Sequence, residues 1–205
     1  MRIEFLTVLA LVFLVGVSTT AEDWEWNSGG AIDTEPTAGF PWDIWGTYTV
    51  TTVENDTGNV VLLTEFGFPC NYGNGSGPGD DVEWVVWLDV GGINPPTGTP
   101  GSCDVMGIFD PVDTGSDDPP TTYTYIDVTG EDILIDDGAF LCFGYQNPGL
   151  AGFINYNGVQ SWTWFQGAWD PDETYNFTAI LQVKGNYDDT KVTPTSLGNI
   201  KAMYY

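Results

Sequence analysis

Four tryptophans and two aspartates carry the clearest chemical signal in this chain. In Gln160-Ser-Trp162-Thr-Trp164-Phe-Gln166 the two indoles lie two residues apart, so an extended strand places them on one face. Trp169-Asp170 follows in a Gly-Ala-Trp-Asp-Pro stretch that reads as a turn. A row of indoles beside amides and carboxylates can stack on sugar rings while the polar groups bind hydroxyls. Large aromatics also fill cores, each burying about 150–250 Å², and Trp162 and Trp164 suit that role as well. Trp169, on a turn, is the better ligand candidate. Trp87 comes next, because it shares a half-polar strand face with Glu83 and Asp89.

A second kind of chemistry is carried by acids. Asp110, Asp113, Asp117 and Asp118 fall within one short stretch containing Gly and Ser, and calcium takes six to eight oxygens from such groups. The spacing differs from a helix-loop-helix calcium loop, and aspartates also occur in solvated turns on their own account. Calcium is therefore the candidate ion, with no cofactor required. Glycoside hydrolysis needs two carboxylates and no histidine; Glu65 and Glu83, inside expected strands, are the glutamates whose surroundings could raise a pKa. No paired-carboxylate motif accompanies them, so the chain reads as a non-enzyme with glycosidase the one enzyme class kept open. Asn55-Asp-Thr57, Asn74-Gly-Ser76 and Asn176-Phe-Thr178 match the glycosylation acceptor pattern, which also arises by chance. Of the three cysteines, Cys70 and Cys103 border loops and are expected to pair, leaving Cys142 in an apolar strand as a buried thiol.

What the sequence lacks excludes more than what it holds. From Glu22 to Val183 there is no Lys, Arg or His, and the whole chain sets 29 acidic residues against 4 basic ones for a net charge of −25. A Ser-His-Asp triad, a histidine metal site and an arginine phosphate clamp are all impossible there. Nucleic acid is excluded as a partner because neutralising phosphates takes Lys and Arg, and anionic membrane surfaces by the same sign argument. Met1-Arg2, an apolar run and the small residues before Glu22 read as a secretory signal over residues 1–21. The run is shorter than the roughly 20 residues of a membrane span. Export to the extracellular space or cell surface is expected, with no transmembrane helix in the mature chain.

The elements that must hold these residues are strands. Apolar residues at 42% and aromatics at 15% suffice for a core despite the charge. Turn signals recur at short intervals, and no stretch keeps a helical period for ten residues. Strands are expected at residues 46–53, 60–66, 82–90, 103–109, 122–128, 133–135, 139–146, 152–156, 160–165 and 174–184. In 82–90, Trp84, Val86, Leu88 and Val90 alternate with Glu83, Val85, Trp87 and Asp89. This predicts an all-β chain: one β-sandwich of jelly-roll type over residues 22–190, with about eight to ten mostly antiparallel strands. Residues 191–205 form a tail in which Leu197, Ile200, Met203 and Tyr204 fit one face of a short helix, either docked or read as a sorting tag.

The series Trp84-Val-Val-Trp87-Leu-Asp89, Asp132-Ile-Leu-Ile-Asp-Asp-Gly-Ala-Phe140, Trp162-Thr-Trp-Phe-Gln-Gly-Ala-Trp169-Asp-Pro171 and Tyr175-Asn-Phe-Thr-Ala-Ile-Leu181 resembles β-sandwich modules of secreted bacterial surface proteins, which often accompany C-terminal sorting domains. The resemblance implies a jelly-roll-like scaffold at the cell surface. The expected function is a binding module with polysaccharide or surface glycan as ligand, through Trp87, Asp89, Trp162, Trp164, Trp169 and Asp170. The rival is a structural or adhesive component that meets other surface proteins.

Overall fold

The computed structural model describes residues 24–28, 47–68, 70–72, 81–88, 90–92, 94–111, 123–146, 149–151, 153–155, 159–171 and 177–188, and for 70–72, 149–151, 153–155 and 177 the backbone path alone. The expected signal (1–21), the tail (191–205), Asp89, Asp113, Asp117 and Asp118 lie outside these residues.

The strands follow one another as β1 (Trp24–Asn27), β2 (Tyr48–Glu54), β3 (Val61–Phe68), β4 (Cys70–Tyr72), β5 (Val82–Trp87), β6 (Val105–Phe109), β7 (Thr124–Asp127) and β8 (Leu134–Ile135). They continue as β9 (Phe140–Gln146), β10 (Gly149–Ala151), β11 (Phe153–Asn155), β12 (Ser161–Phe165), β13 (Ala168–Pro171), β14 (Phe177–Ala179) and β15 (Gln182–Tyr187). The chain is all-β. A five-stranded sheet runs β1-β15-β3-β7 with β8 also on β3; a six-stranded sheet runs β13-β12-β2-β9-β5-β6; β4-β10 and β11-β14 form two ribbons. Every ladder is antiparallel.

The two large sheets face each other across one core. Val61, Leu63, Phe66, Phe68 and Val183 from the five-stranded sheet meet Trp84, Val86, Leu141, Phe143 and Tyr145 from the six-stranded one. Phe66 and Phe143 stack with centroids 5.1 Å apart, and Phe68 lies 5.0 Å from Tyr145. The alternation read from residues 82–87 holds: Trp84 and Val86 enter this core, whereas Val85 and Trp87 join a second apolar cluster on the outer face. Opposite Trp84, Gly107 is needed for room, since a Cβ there would stand 2.3 Å from the indole Nε1.

Where strand boundaries depart from expectation, bulges and sheet changes are the reason. On β3, Leu63 pairs with Gly185 but Glu65 pairs with Lys184, leaving Thr64 as an inserted residue. The inward positions therefore switch from Val61 and Leu63 to Phe66 and Phe68. The stretch expected as one strand at 174–184 divides into β14, on β11, and β15, between β1 and β3. More, shorter strands result than the eight to ten foreseen.

One further expectation is corrected. Cys103 is a free thiol, so the expected bridge to Cys70 is absent. The 3-10 turn Pro100–Ser102 delivers Cys103 to the outer cluster beside Tyr48 and Val90, while Cys70 opens a strand on the β10 ladder. Asn55 is fully buried, its Nδ2 donating to the carbonyls of Asn59, Ile135 and Asp136 at 2.8, 3.0 and 3.2 Å. In the folded protein that sequon is closed to glycosylation; Asn74 and Asn176 lie outside the described residues. Cys142 is a buried free thiol, as expected.

Candidate functional site

The aromatic residues singled out in the sequence meet on the outer face of the six-stranded sheet. Cross-strand register lays out one row over all six strands: Pro171, Trp162, Val50, Gly144, Val85 and Met106. Beside it, Trp164 pairs with Trp169 and Trp87 with Cys142. Trp169 is on a strand, not in the turn. The turn is Gln166-Gly167, with φ of 50° and 89°, the two left-handed residues of a tight hairpin whose twist suits the flanking strands.

This face must be concave. Between β13 and β5 lie three strands, so in a flat sheet they would stand roughly 19 Å apart at about 4.8 Å per strand. Yet the rings of Trp169 and Trp87 are 5.7 Å apart, edge to face at 88°, and Trp169 also meets Trp164 at 5.1 Å and 62°. We attribute this curvature to the close approach of β2 at Gly144, where a Cβ would fall 1.9 Å from the Thr49 carbonyl oxygen and 2.7 Å from Val50 Cα. The β12-β13 hairpin thus folds over β9 and β5. Beneath it Val50, Val85, Trp87, Cys142 and Trp162 are sealed as a second small core.

The described residues between Leu88 and Asp104 complete the site. They cross the concave face, held where Thr52 Oγ1 donates to Asn94 O at 3.2 Å and Trp169 Nε1 donates to Gly98 O at 3.0 Å. The Asp104 carboxylate accepts the Leu88 N–H at 2.7 Å and closes the base of this segment. Beside Trp87 this chain segment forms an open groove of about 860 Å³, its lining apolar at Trp87, Leu88, Val90 and Pro95 and polar at Asn94, Thr97, Ser102 and Asp104. Apolar walls with a few polar groups in a volume of this order suit a small-molecule or oligomer site.

The tryptophans divide into two roles. Trp162 and Trp87, each 4% exposed, are structural walls; Trp164 and Trp169 are half-buried and keep surface for a ligand. Asp170 pairs with Thr163, one residue out of step with the Trp164–Trp169 pair, so it points to the opposite side of the hairpin from the indoles. Among the described residues the carboxylate at the groove is Asp104. Asn94, Thr97, Ser102 and Asp104 were not foreseen individually; the signal available was the Gly- and Pro-rich loop that carries most of them. Trp87 Nε1 is buried and has no acceptor, an omission worth about 1–3 kcal/mol in an unmet donor.

The titratable groups nearby are shielded. Tyr48 donates its hydroxyl to Glu83 Oε2, and burial with that hydrogen bond pushes the phenol pKa up. Burial raises Cys103 and takes Cys142 to about 12, so both thiols stay protonated at neutral pH. Glu83 shares the concave side with Val85, whereas Glu65 points outward from the other sheet and pairs with Lys184 at 2.6 Å. The two glutamates on opposite faces of the sandwich cannot act on one glycosidic bond. Asp110 is exposed at the end of β6, and no group of three potential metal ligands occurs among the described residues. No helix among them is long and apolar enough to cross a membrane.

No protein family, curated protein or solved structure matches this chain. The site must be read from its own geometry.

Proposed function

We propose that this chain is an exported β-sandwich of jelly-roll type that binds a neutral polysaccharide or surface glycan at the cell surface and carries out no chemistry on it. The observation that carries this reading is the concave aromatic face: half-buried Trp164 and Trp169 beside a groove edged by Asn94, Thr97, Ser102 and Asp104. Indole faces stack on the C–H side of sugar rings, and the polar edge meets hydroxyls. The charge of −25 favours an uncharged ligand over an anionic one. The secretion signal and the resemblance to modules of secreted bacterial surface proteins support the location, and the Asp110, Asp113, Asp117 and Asp118 stretch keeps calcium as the candidate bracing ion.

A second reading, a structural or adhesive component meeting other surface proteins, is favoured by β6. That strand ends the sheet order and leaves Met106 and Ile108 42% and 61% exposed, and an apolar sheet edge is a template for pairing. One experiment separates the two: a glycan array with and without a chelator, run beside size-exclusion chromatography. The binding reading expects retention on neutral glycans that drops about tenfold or more in Trp164→Ala and Trp169→Ala. Silence on every glycan would sink it, and self-association without sugar affinity would establish the rival.

A further inference from the structure

We infer that the groove beside Trp87 is shaped for an acetamido group, so that the ligand is an N-acetylated neutral sugar rather than a polymer bearing hydroxyls alone. This deepens the glycan reading and rests on it. Among the described residues, Trp87 Nε1 is the one nitrogen among the buried side-chain atoms left without a hydrogen-bond partner. An indole N–H can donate and never accept, so a group arriving here must bring an acceptor.

The surroundings narrow which acceptor. Leu88, Val90 and Pro95 flank Trp87 with apolar surface, and Asp104 is the charged group in the groove lining. With no Lys, Arg or His from Glu22 to Val183, a carboxylate, sulfate or phosphate would meet repulsion and no counter-charge. A hydroxyl can accept and pass its own proton to Asp104 or Asn94, but it brings no apolar group to cover Leu88, Val90 and Pro95. An amide carbonyl accepts as well and comes with a methyl group. Its methyl group can lie on Leu88, Val90 and Pro95, and its N–H can turn to the carboxylate or amide oxygens of Asp104 and Asn94. Methyl, carbonyl and N–H in that order are a 2-acetamido substituent.

Trp87 is 4% exposed, so the groove lining must yield locally for an acceptor to reach its N–H.

The test is calorimetric titration of the full mature chain with chitotetraose and with cellotetraose, which match in length and linkage and differ in the acetamido group. Chitotetraose is expected to bind at least tenfold tighter. Trp87→Phe, which keeps a ring and removes the N–H, is expected to bring the two affinities within about twofold. In the wild-type protein labelled with 15N at tryptophan, the indole resonance missing from Trp87→Phe is expected to move downfield on adding chitotetraose and to stay with cellotetraose. Equal affinity for both sugars, or an unmoved Trp87 resonance, overturns the acetamido inference and leaves the glycan reading standing. Binding of neither sugar, with an array silent on all other glycans, overturns both.

Discussion

The two outer faces of the sandwich solve the same problem in opposite ways. On the six-stranded sheet the outer residues are Val50, Val85, Trp87, Cys142 and Trp162, and they are buried, because a hairpin and a Gly/Pro-rich loop fold over them. On the five-stranded sheet the corresponding positions are polar and paired within the face itself. Gln182 Nε2 donates to Glu25 Oε1, Lys184 binds Glu65 at 2.6 Å, and Lys184 Nζ lies 4.7 Å above the Tyr125 ring. Tyr123 and Tyr125 stack beside them at 5.7 Å. A bent sheet generates concavity, and concavity lets aromatics from distant strands converge. The other face settles its polarity locally, through pairs among its own side chains. Ligand capacity follows the bend, not the number of polar groups.

The largest test of this contrast compares two glycines. A Cβ on Gly144 would meet backbone, 1.9 Å from Thr49 O, whereas on Gly67 it would meet side chains, Tyr123 Cδ1 and Tyr125 Cε1 at 3.0 Å and Gln182 Cβ at 3.1 Å. Backbone in a ladder cannot give way; tyrosine rings can. Gly144→Val is expected to lower unfolding free energy by about 3 kcal/mol or more and to abolish the Trp87–Trp169 contact. Gly67→Ala is expected to cost about 1 kcal/mol. Urea midpoints measure both, and near-ultraviolet circular dichroism reports the indole cluster. Similar losses for the two variants would mean that the bend at Gly144 is not what shapes the site.

Alkali probes the same pair of faces. Burial raises the Cys142 thiol to about 12 on one side, and burial raises the Tyr123 phenol to about 12 on the other, with the Asn27 amide opposing it. In the unfolded chain these groups lose their protons at roughly 8.5 and 10, so above those values the unfolded state binds fewer protons than the folded one. Stability is therefore complete below about pH 8.5 and is lost as pH rises through about 12. Urea midpoints taken from pH 8 to 12 should fall, less steeply in Cys142→Ala and in Tyr123→Phe. A flat profile in the wild type would contradict the sealed second core.

Much of this was legible in the chain. Alternation in residues 82–87 put Trp84 and Val86 on one strand face and Trp87 on the other, and periodicity needs nothing beyond local geometry. The approach of Trp169 to Trp87 was not legible, because it depends on a bend at a glycine far from both in sequence. The division of labour between Trp162 and Trp164 was hidden for the same reason: they share a strand face, and only the loop above decides which is covered. Thr64 shows another limit. One inserted residue reverses which side chains face inward, and no composition signal marks it. Asp170 looked like a partner of Trp169 because they are adjacent, yet adjacency on a strand means opposite faces.

The smallest effect concerns the polar face and tests whether it is held by its charges. Lys184 and Glu65 retain 18% and 28% side-chain exposure, between the surface pairs worth about 0–1 kcal/mol and the buried ones whose breaking costs about 3–5 kcal/mol. Lys184→Met removes the cation, whose Nζ lies 4.7 Å above the Tyr125 ring, while keeping most of the apolar stem. It leaves Glu65 half-buried next to Asp127, with Glu25 two strands away on the same row and no cation between them. The expected loss is about 1–2 kcal/mol. Adding Glu65→Gln should restore at least half of it, since the isolated carboxylate, not the missing contact, causes most of the harm. The groove on the opposite sheet should be untouched, so indole fluorescence and glycan affinity should match the wild type in both variants. A double variant no more stable than Lys184→Met alone would show that the lysine acts on this face through its packing against Tyr125, and the contrast between a charge-paired face and an aromatic one would lose its energetic basis.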